Sequence, residues 1–441
     1  MIILHYSLGF PPYRTGGLTT FCIDLMREQV RKGHKVGLLW PGEIKLFNHR
    51  IGIRKGKTVD GIKNYEVVNP LPVPFDEGIK DFRDFCQNGD KQIYDRFLDE
   101  IKPDVIHIHT LMGLHKSLLI VAKEKGIRLV FTTHDFFPIC PKVTMFRKGK
   151  ICDSVESCEK CGVCNNTALN LKRIFILQTP VYRKFKDSNI VKKLRKQHRD
   201  AYLSGNSDDG IEVGISKDYL RLRNYYFSMI KLMDVIHYNS TITRDIYEKI
   251  YGNLNCKIIS ITHANIIDHK KKRRYDSNCL RIRFLGSQSA AKGYYILKEA
   301  LDNLWIKRKD FVLDIHFTPS DTSEYMRCHE RYTYKDLEDI FDNTDVLICP
   351  SIWYETFGYT VLESLSYGVP VIISNTVGAK DIIKIGAGIV IDSITPDKIY
   401  QTINEITRSG LEKANKIIVN EQDIMTISDM ARQIETEVYG G

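Results

Sequence analysis

Residues 345–372 read DVLICPSIWYETFGYTVLESLSYGVPVI, and this stretch decides the fold. Asp345 to Cys349 is a short apolar run of strand type. Pro350 opens a loop, a helix is predicted from near Gly358, and Gly368 ends it before a second apolar run. A buried strand, a helix and another buried strand in this order make a βαβ unit, whose strands lie parallel in one sheet.

The same alternation continues outward. Leu280–Leu285, Phe311–Phe317 and Val369–Ser374 read as further strands of one series, closed by a polar helix predicted over Asn420–Tyr439. Met1–Tyr6, Lys35–Trp40, Val105–His109, Leu129–Thr133 and Asp234–Tyr238 read as strands of an earlier series, with helices over Leu18–Lys32, Leu114–Lys125 and Tyr219–Met233. At 441 residues the chain is too long for one ordinary core. The expected fold class is α/β, with two Rossmann-like domains facing across a cleft. The domains are expected at 1–265, with a Cys-rich and basic insertion over about 138–230, and at 266–425. A closing helix over 426–441 is expected to return to the first domain.

Hydrophobic residues at 43% and charged residues at 27% fit a soluble globular protein, and no stretch approaches the roughly 20 apolar residues of a membrane span. The first residues resemble a strand and not a signal peptide, so a cytoplasmic location is expected. The net charge of +10 is concentrated in Lys172–Arg199, where ten cations face Asp187 alone. Of 11 cysteines, Cys140, Cys152, Cys158, Cys161 and Cys164 crowd together, and the other six read as small buried hydrophobes.

Glu355 lies in the loop before the central helix and Glu363 within it, about eight residues or two turns further on. The free N–H groups at the start of that helix favour a phosphate, and carboxylates accept hydrogen bonds from sugar hydroxyls. Phosphate in the middle with hydroxyls on both flanks describes a nucleotide sugar. The plain alternative is a helix-capping Glu and a solvated one.

The stretch resembles the E-x7-E signature of the retaining glycosyltransferases of family 4, which have the GT-B architecture, and matches follow in order along nearly the whole chain. The resemblance implies that Glu355 contacts donor-sugar hydroxyls, that Glu363 holds the ribose, and that the amides of Thr356, Phe357, Gly358, Tyr359 and Thr360 hold the distal phosphate. Upstream, FLGSQSAAKG over 284–293 sets a turn at Gly286, and Lys292 resembles the family's phosphate-binding lysine. Ser287 stands where the family usually has arginine. Gly16 and Gly17, on the first strand-to-helix turn, match the loop that faces donor and acceptor. His134 matches a donor-sugar contact. His107 reads as a structural histidine, while His109 fits either role.

The resemblance also implies transfer with retention, usually by a front-face route in which the leaving phosphate takes the acceptor's proton. Glu355 is expected to orient the sugar while Lys292 and the helix end stabilise the departing diphosphate. No catalytic metal or other cofactor is expected. The reaction implied is movement of a hexose from a nucleotide sugar, UDP-linked before GDP-linked, to a glycan or lipid-linked acceptor in capsule or O-antigen synthesis.

The five crowded thiols have spacings that suit a structural zinc, ahead of an iron–sulfur cluster, with reduced free thiols as the alternative. The basic segment carries apolar residues among its cations, which suits contact with an anionic membrane at its cytoplasmic face. Pro180 is expected to split it into two helices. No nucleic-acid partner is expected, because no complete nucleic-acid-binding motif accompanies the thiols. A nucleotide-binding oxidoreductase is disfavoured by the lack of G-x-G-x-x-G after the first strand, which leaves a sugar-nucleotide epimerase of the same architecture as the nearer competitor.

Overall fold

Every strand predicted from the sequence lies in one of two sheets. The structure, a computed structural model, describes all residues except 12, 46, 75–77, 180–181, 183–215 and 441. Its first sheet contains β1 (Ile2–Tyr6), β2 (Lys35–Pro41), β3 (Gly52–Lys55), β4 (Lys63–Val68), β5 (Val105–Ile108) and β6 (Arg128–Thr133). A small antiparallel ribbon, β7 (Phe146–Arg147) with β8 (Lys150–Ile151), stands apart before β9 (Val235–Tyr238) and β10 (Cys256–Ile258) complete that sheet. The strand order is β10-β9-β6-β5-β1-β2-β4-β3, parallel except for the edge pair β3 and β4.

The second sheet holds β11 (Leu280–Phe284), β12 (Phe311–Ile315), β13 (Met326–Cys328), β14 (Val346–Cys349), β15 (Val371–Ser374) and β16 (Gly388–Ile391). Its order is β13-β12-β11-β14-β15-β16, parallel throughout. The central strands are mostly apolar because helices cover both faces, with His5, His107, Thr132 and Arg283 among the buried polar exceptions. Strand order reverses between β1 and β5 in one sheet and between β11 and β14 in the other. Such reversals open a crevice at the strands' carboxyl ends.

Two elements depart from the sequence reading. The helix expected over Asn420–Tyr439 is three pieces: Arg408–Glu421, then Ile427–Gln433, then a π turn over Ile434–Val438. Thr426 caps the second piece, its side chain and that of Asp429 forming a reciprocal capping box. Of the six single cysteines, only Cys22 is buried, and Cys328 is exposed.

One apolar cluster spans both sheets. It joins Phe21 and Leu25 of the helix Gly17–Arg31 to Val361, Leu362 and Leu365 beside β15, and to Met430, Ile434 and Val438. Tyr439 reaches the first sheet, where its phenol bonds His107 at 2.7 Å and accepts from Gln29 at 3.1 Å.

Candidate functional site

The loop from Pro350 to Gly358 crosses the carboxyl end of the second sheet. Gly358 takes φ +109° to turn the chain into the helix Tyr359–Ser366, and a Cβ there would meet Val377 at 2.8 Å, so only glycine fits. The opposite domain also grips this loop. Ser240 donates to the Thr356 carbonyl at 2.7 Å, and the Thr356 hydroxyl donates to the His134 carbonyl at 3.1 Å.

Between the domains lies a cavity of about 390 Å³. Of the residues singled out in the sequence, it is lined by Gly17, His134, Lys292, Glu355, Thr356, Phe357, Gly358, Tyr359 and Thr360. Gly17 closes over the helix start so nearly that a Cβ would lie 3.5 Å from the Tyr359 ring. Gly16, Gly286, Ser287 and Glu363 stand outside the lining. Ser287 is exposed and its hydroxyl pairs with Ser289 at 3.3 Å.

Lys292 and Glu355 form an ion pair at 2.9 Å, and Ser351 donates to the same carboxylate oxygen. Burial raises the Glu355 carboxyl, but the Lys292 charge and the bonds from Ser351 and Lys292 outweigh it and hold the group below its ordinary value. For Lys292 burial works against the charge, and Glu355 overcomes it, leaving the ammonium above its ordinary value. Both groups therefore stay charged at neutral pH. The ammonium also lies 5.2 Å from the centre of the Trp353 ring.

Glu363, 4% exposed, lies about one turn after Tyr359 in the same helix. Its Oε1 lies 3.4 Å from His263 Nε2, and its Oε2 is buried with no hydrogen-bond partner among the described residues. A buried carboxylate oxygen without a donor is costly, and ligand hydroxyls would relieve it.

Sequence reading missed Asp135, Phe136, Val143, Thr144, Trp353 and Tyr354, all of which line the cavity. Asp135 adjoins His134 at the end of β6, which was signal enough. Burial raises its carboxyl to about 6, against a bond from the Phe137 amide. Val143 and Thr144 come from the Cys-rich insertion, and no local pattern announced that its tip reaches the cleft.

His107 and His109 are both buried within the first sheet. His5, His107 and His109 have ring nitrogens within 4.8 Å of one another, as do the donor atoms of Cys22, His109 and His134. In the first set every ring nitrogen already has a hydrogen-bond partner, so the arrangement is a polar network and not a prepared metal site.

Neither set includes a thiol of the insertion. There, Cys158 and Cys161 share a hydrogen bond that holds the Cys158 thiol below its ordinary value and drives the Cys161 thiol up. Burial raises Cys140 to about 12, with Cys164 and Cys152 close enough to add to the effect.

Comparison with known proteins follows the two-sheet division. The family described as Glycosyltransferase Family 4 matches residues 15–153, and that described as Glycosyl transferases group 1 matches residues 324–423. An uncharacterized 42.6 kDa protein in the cps region of Klebsiella pneumoniae is 22% identical over 395 residues, covering 86% of this chain and 85% of its own. Among solved structures, sucrose-phosphate synthase from Thermosynechococcus elongatus superposes with a TM-score of 0.57 at 12% identity, over 99% of this chain and 98% of that one. HepE from Anabaena, solved with UDP and glucose, gives 0.53 at 14% identity, over 99% of both chains. No helix among the described residues is long and apolar enough to cross a membrane. The chain belongs with the family 4-like glycosyltransferases of GT-B architecture.

Proposed function

We propose that the chain moves a hexose from a nucleotide sugar, UDP-linked before GDP-linked, with retention, to a glycan or lipid-linked acceptor in cell-surface polysaccharide synthesis. The observation that carries this reading is the gathering of an ion pair, a helix start and a buried unpartnered carboxylate around one loop and the helix that follows it. The Lys292–Glu355 ion pair and the start of the helix Tyr359–Ser366 line the same cavity, and the unpartnered Glu363 oxygen lies about one turn further along that helix. Lys292 and the helix amides meet the diphosphate, Glu355 orients the sugar, and Glu363 takes the ribose hydroxyls. The departing phosphate accepts the proton of the acceptor hydroxyl as the new glycosidic bond forms, with no divalent ion required.

UDP and glucose in HepE support the donor class, and the cps-region relative supports the polysaccharide setting. For membrane contact, the helix Leu171–Leu177 leaves Ile176 56% exposed beside exposed Lys172 and Arg173, which supports a peripheral surface at the cytoplasmic face. Residues 183–199, the core of the basic segment, lie outside the described residues.

The test is a thermal-shift screen of UDP-, GDP- and ADP-sugars, followed by mass analysis of products on a polyprenyl-diphosphate acceptor in anionic vesicles, with and without chelator. A UDP-sugar is expected to raise the melting temperature, and Glu363→Gln is expected to weaken that nucleotide by about tenfold or more. Transfer is expected to persist in chelator. Epimerised donor without transfer, or an unshifted melting curve with every nucleotide sugar, would reject the reading.

The thiols of the insertion are proposed as a structural zinc site, with Cys140, Cys152, Cys158, Cys161 and Cys164 as the ligand pool. The thiol pair Cys158 and Cys161 supports it, because a lowered thiol pKa supplies thiolate. About one zinc per chain is expected in protein purified without added metal; substoichiometric zinc and iron would remove the proposal.

A further inference from the structure

An unbranched series of hydrogen bonds runs through the first domain from a backbone carbonyl to the cavity. His237 Nε2 lies 2.8 Å from the Ile259 carbonyl, and His237 Nδ1 lies 2.8 Å from Thr132 Oγ1. Thr132 Oγ1 is 2.6 Å from His107 Nε2, and His107 Nδ1 is 2.7 Å from the Tyr439 phenol. Gln29 links that phenol to His5 Nε2, at 3.1 and 2.7 Å. His5 Nδ1 then meets His109 Nε2 at 2.9 Å, and His109 Nδ1 meets His134 Nε2 at 3.2 Å.

The direction of every bond follows from the first. A carbonyl only accepts, so His237 carries its proton on Nε2. Burial keeps each of these imidazoles neutral at neutral pH, so each has one donor and one acceptor nitrogen. Thr132 must then donate to His237 and accept from His107, and Tyr439 must donate to His107. A phenol has one proton, so it accepts from the Gln29 amide, and the Gln29 oxygen accepts from His5. His109 donates to His5, and His134 donates to His109.

We propose that Tyr439 is a positioning residue for the cleft: this one-way chain, anchored at the Ile259 carbonyl and passing through the Tyr439 hydroxyl, fixes His134 with Nε2 protonated and Nδ1 bare. Nδ1 is left as the ring's remaining hydrogen-bonding atom, and no described residue bonds to it. His134 lines the cavity, so it takes a hydrogen bond from a ligand hydroxyl and gives none. The assignment of that ligand as a donor sugar rests on the function proposed above, whereas the tautomer does not. Tyr439 follows the second sheet in sequence yet acts inside the first domain. The return of the chain after Gln433 therefore completes a network that the first 265 residues leave broken between Gln29 and His107.

Two-bond 1H–15N spectra of protein labelled at histidine nitrogens read the tautomer directly, with the His134→Gln variant assigning the signal. The wild type is expected to show His134 wholly as the Nε2-protonated form. Tyr439→Phe removes the hydroxyl in the middle of the chain, and Thr132→Val cuts it on the far side while leaving Tyr439 in place. Both are expected to give a tautomer mixture at His134 and to raise the donor KM about three- to tenfold, with a smaller change in kcat. A wild-type His134 protonated at Nδ1 overturns the proposal. So does a pure Nε2-protonated form in both variants. If the tautomers behave as expected but no nucleotide sugar binds the wild type, the donor assignment fails and the chain stands.

Discussion

Lys292→Ala is expected to lower sugar transfer by about 10² to 10³-fold, the loss typical when one charged or hydrogen-bonding group aimed at developing negative charge is removed. Under the proposed function that task falls on Lys292, which lines the cavity. Ser287, where the family resemblance leads one to expect arginine, is exposed and outside the cavity lining. The substitution also removes the charge that holds the Glu355 carboxyl down, and burial, the largest influence on that group, then acts without it. The acidic limb of the pH–rate profile is therefore expected to move upward in the variant. Lys292→Arg keeps a cation and is expected to recover part of the rate. Transfer within about threefold of wild type in Lys292→Ala would remove this residue from the site.

The second large effect is on stability in mild acid. Burial lowers His5 and His237 to about 4 and His134 to about 3, and carries His107 and His109 well below the ordinary 6.5. His115, bonded to the Tyr94 phenol, is likewise lowered to about 4 by burial. A histidine whose folded pKa is depressed binds its proton more readily when unfolded. Its contribution is full above 6.5 and is lost as pH falls toward the folded value. Each such group changes stability by up to about 1.4 kcal/mol per pH unit.

Asp135 acts in the opposite sense, since its folded carboxyl, raised to about 6, binds a proton more readily than the unfolded one between about 6 and 3.8. One group does not offset six. Domains are stable by only about 5 to 15 kcal/mol, so urea midpoints are expected to fall steeply between pH 6.5 and 5. Equal midpoints at pH 7 and pH 5 would show that the histidines are not buried as neutral rings.

The strands and the central motif were legible because their signals are local. DVLIC and GVPVI are mostly apolar runs of strand length, and Gly358 and Gly368 sit at the positions of the motif with positive φ. The break after Glu421 was not legible, because Thr426 and Asp429 form a capping box inside a stretch whose helical spacing runs on past it. Nor was the role of His109 decided by its strand position alone. Its partners His5 and His134 come from other strands' ends, brought together by sheet order. Val143 and Thr144 show the same limit: their insertion has turn residues and thiols but no period, and only the tertiary fold brings its tip to the cleft.

Thr356 has a consequence for motion. Its carbonyl is held by Ser240 and its hydroxyl holds the His134 carbonyl, while its own backbone lies between Glu355 and the helix start. Rigid separation of the two halves cannot keep those bonds and the loop conformation together. Under the proposed function, nucleotide leaving through a widening cleft would release the loop that carries Glu355, joining product exit to loss of the site's geometry.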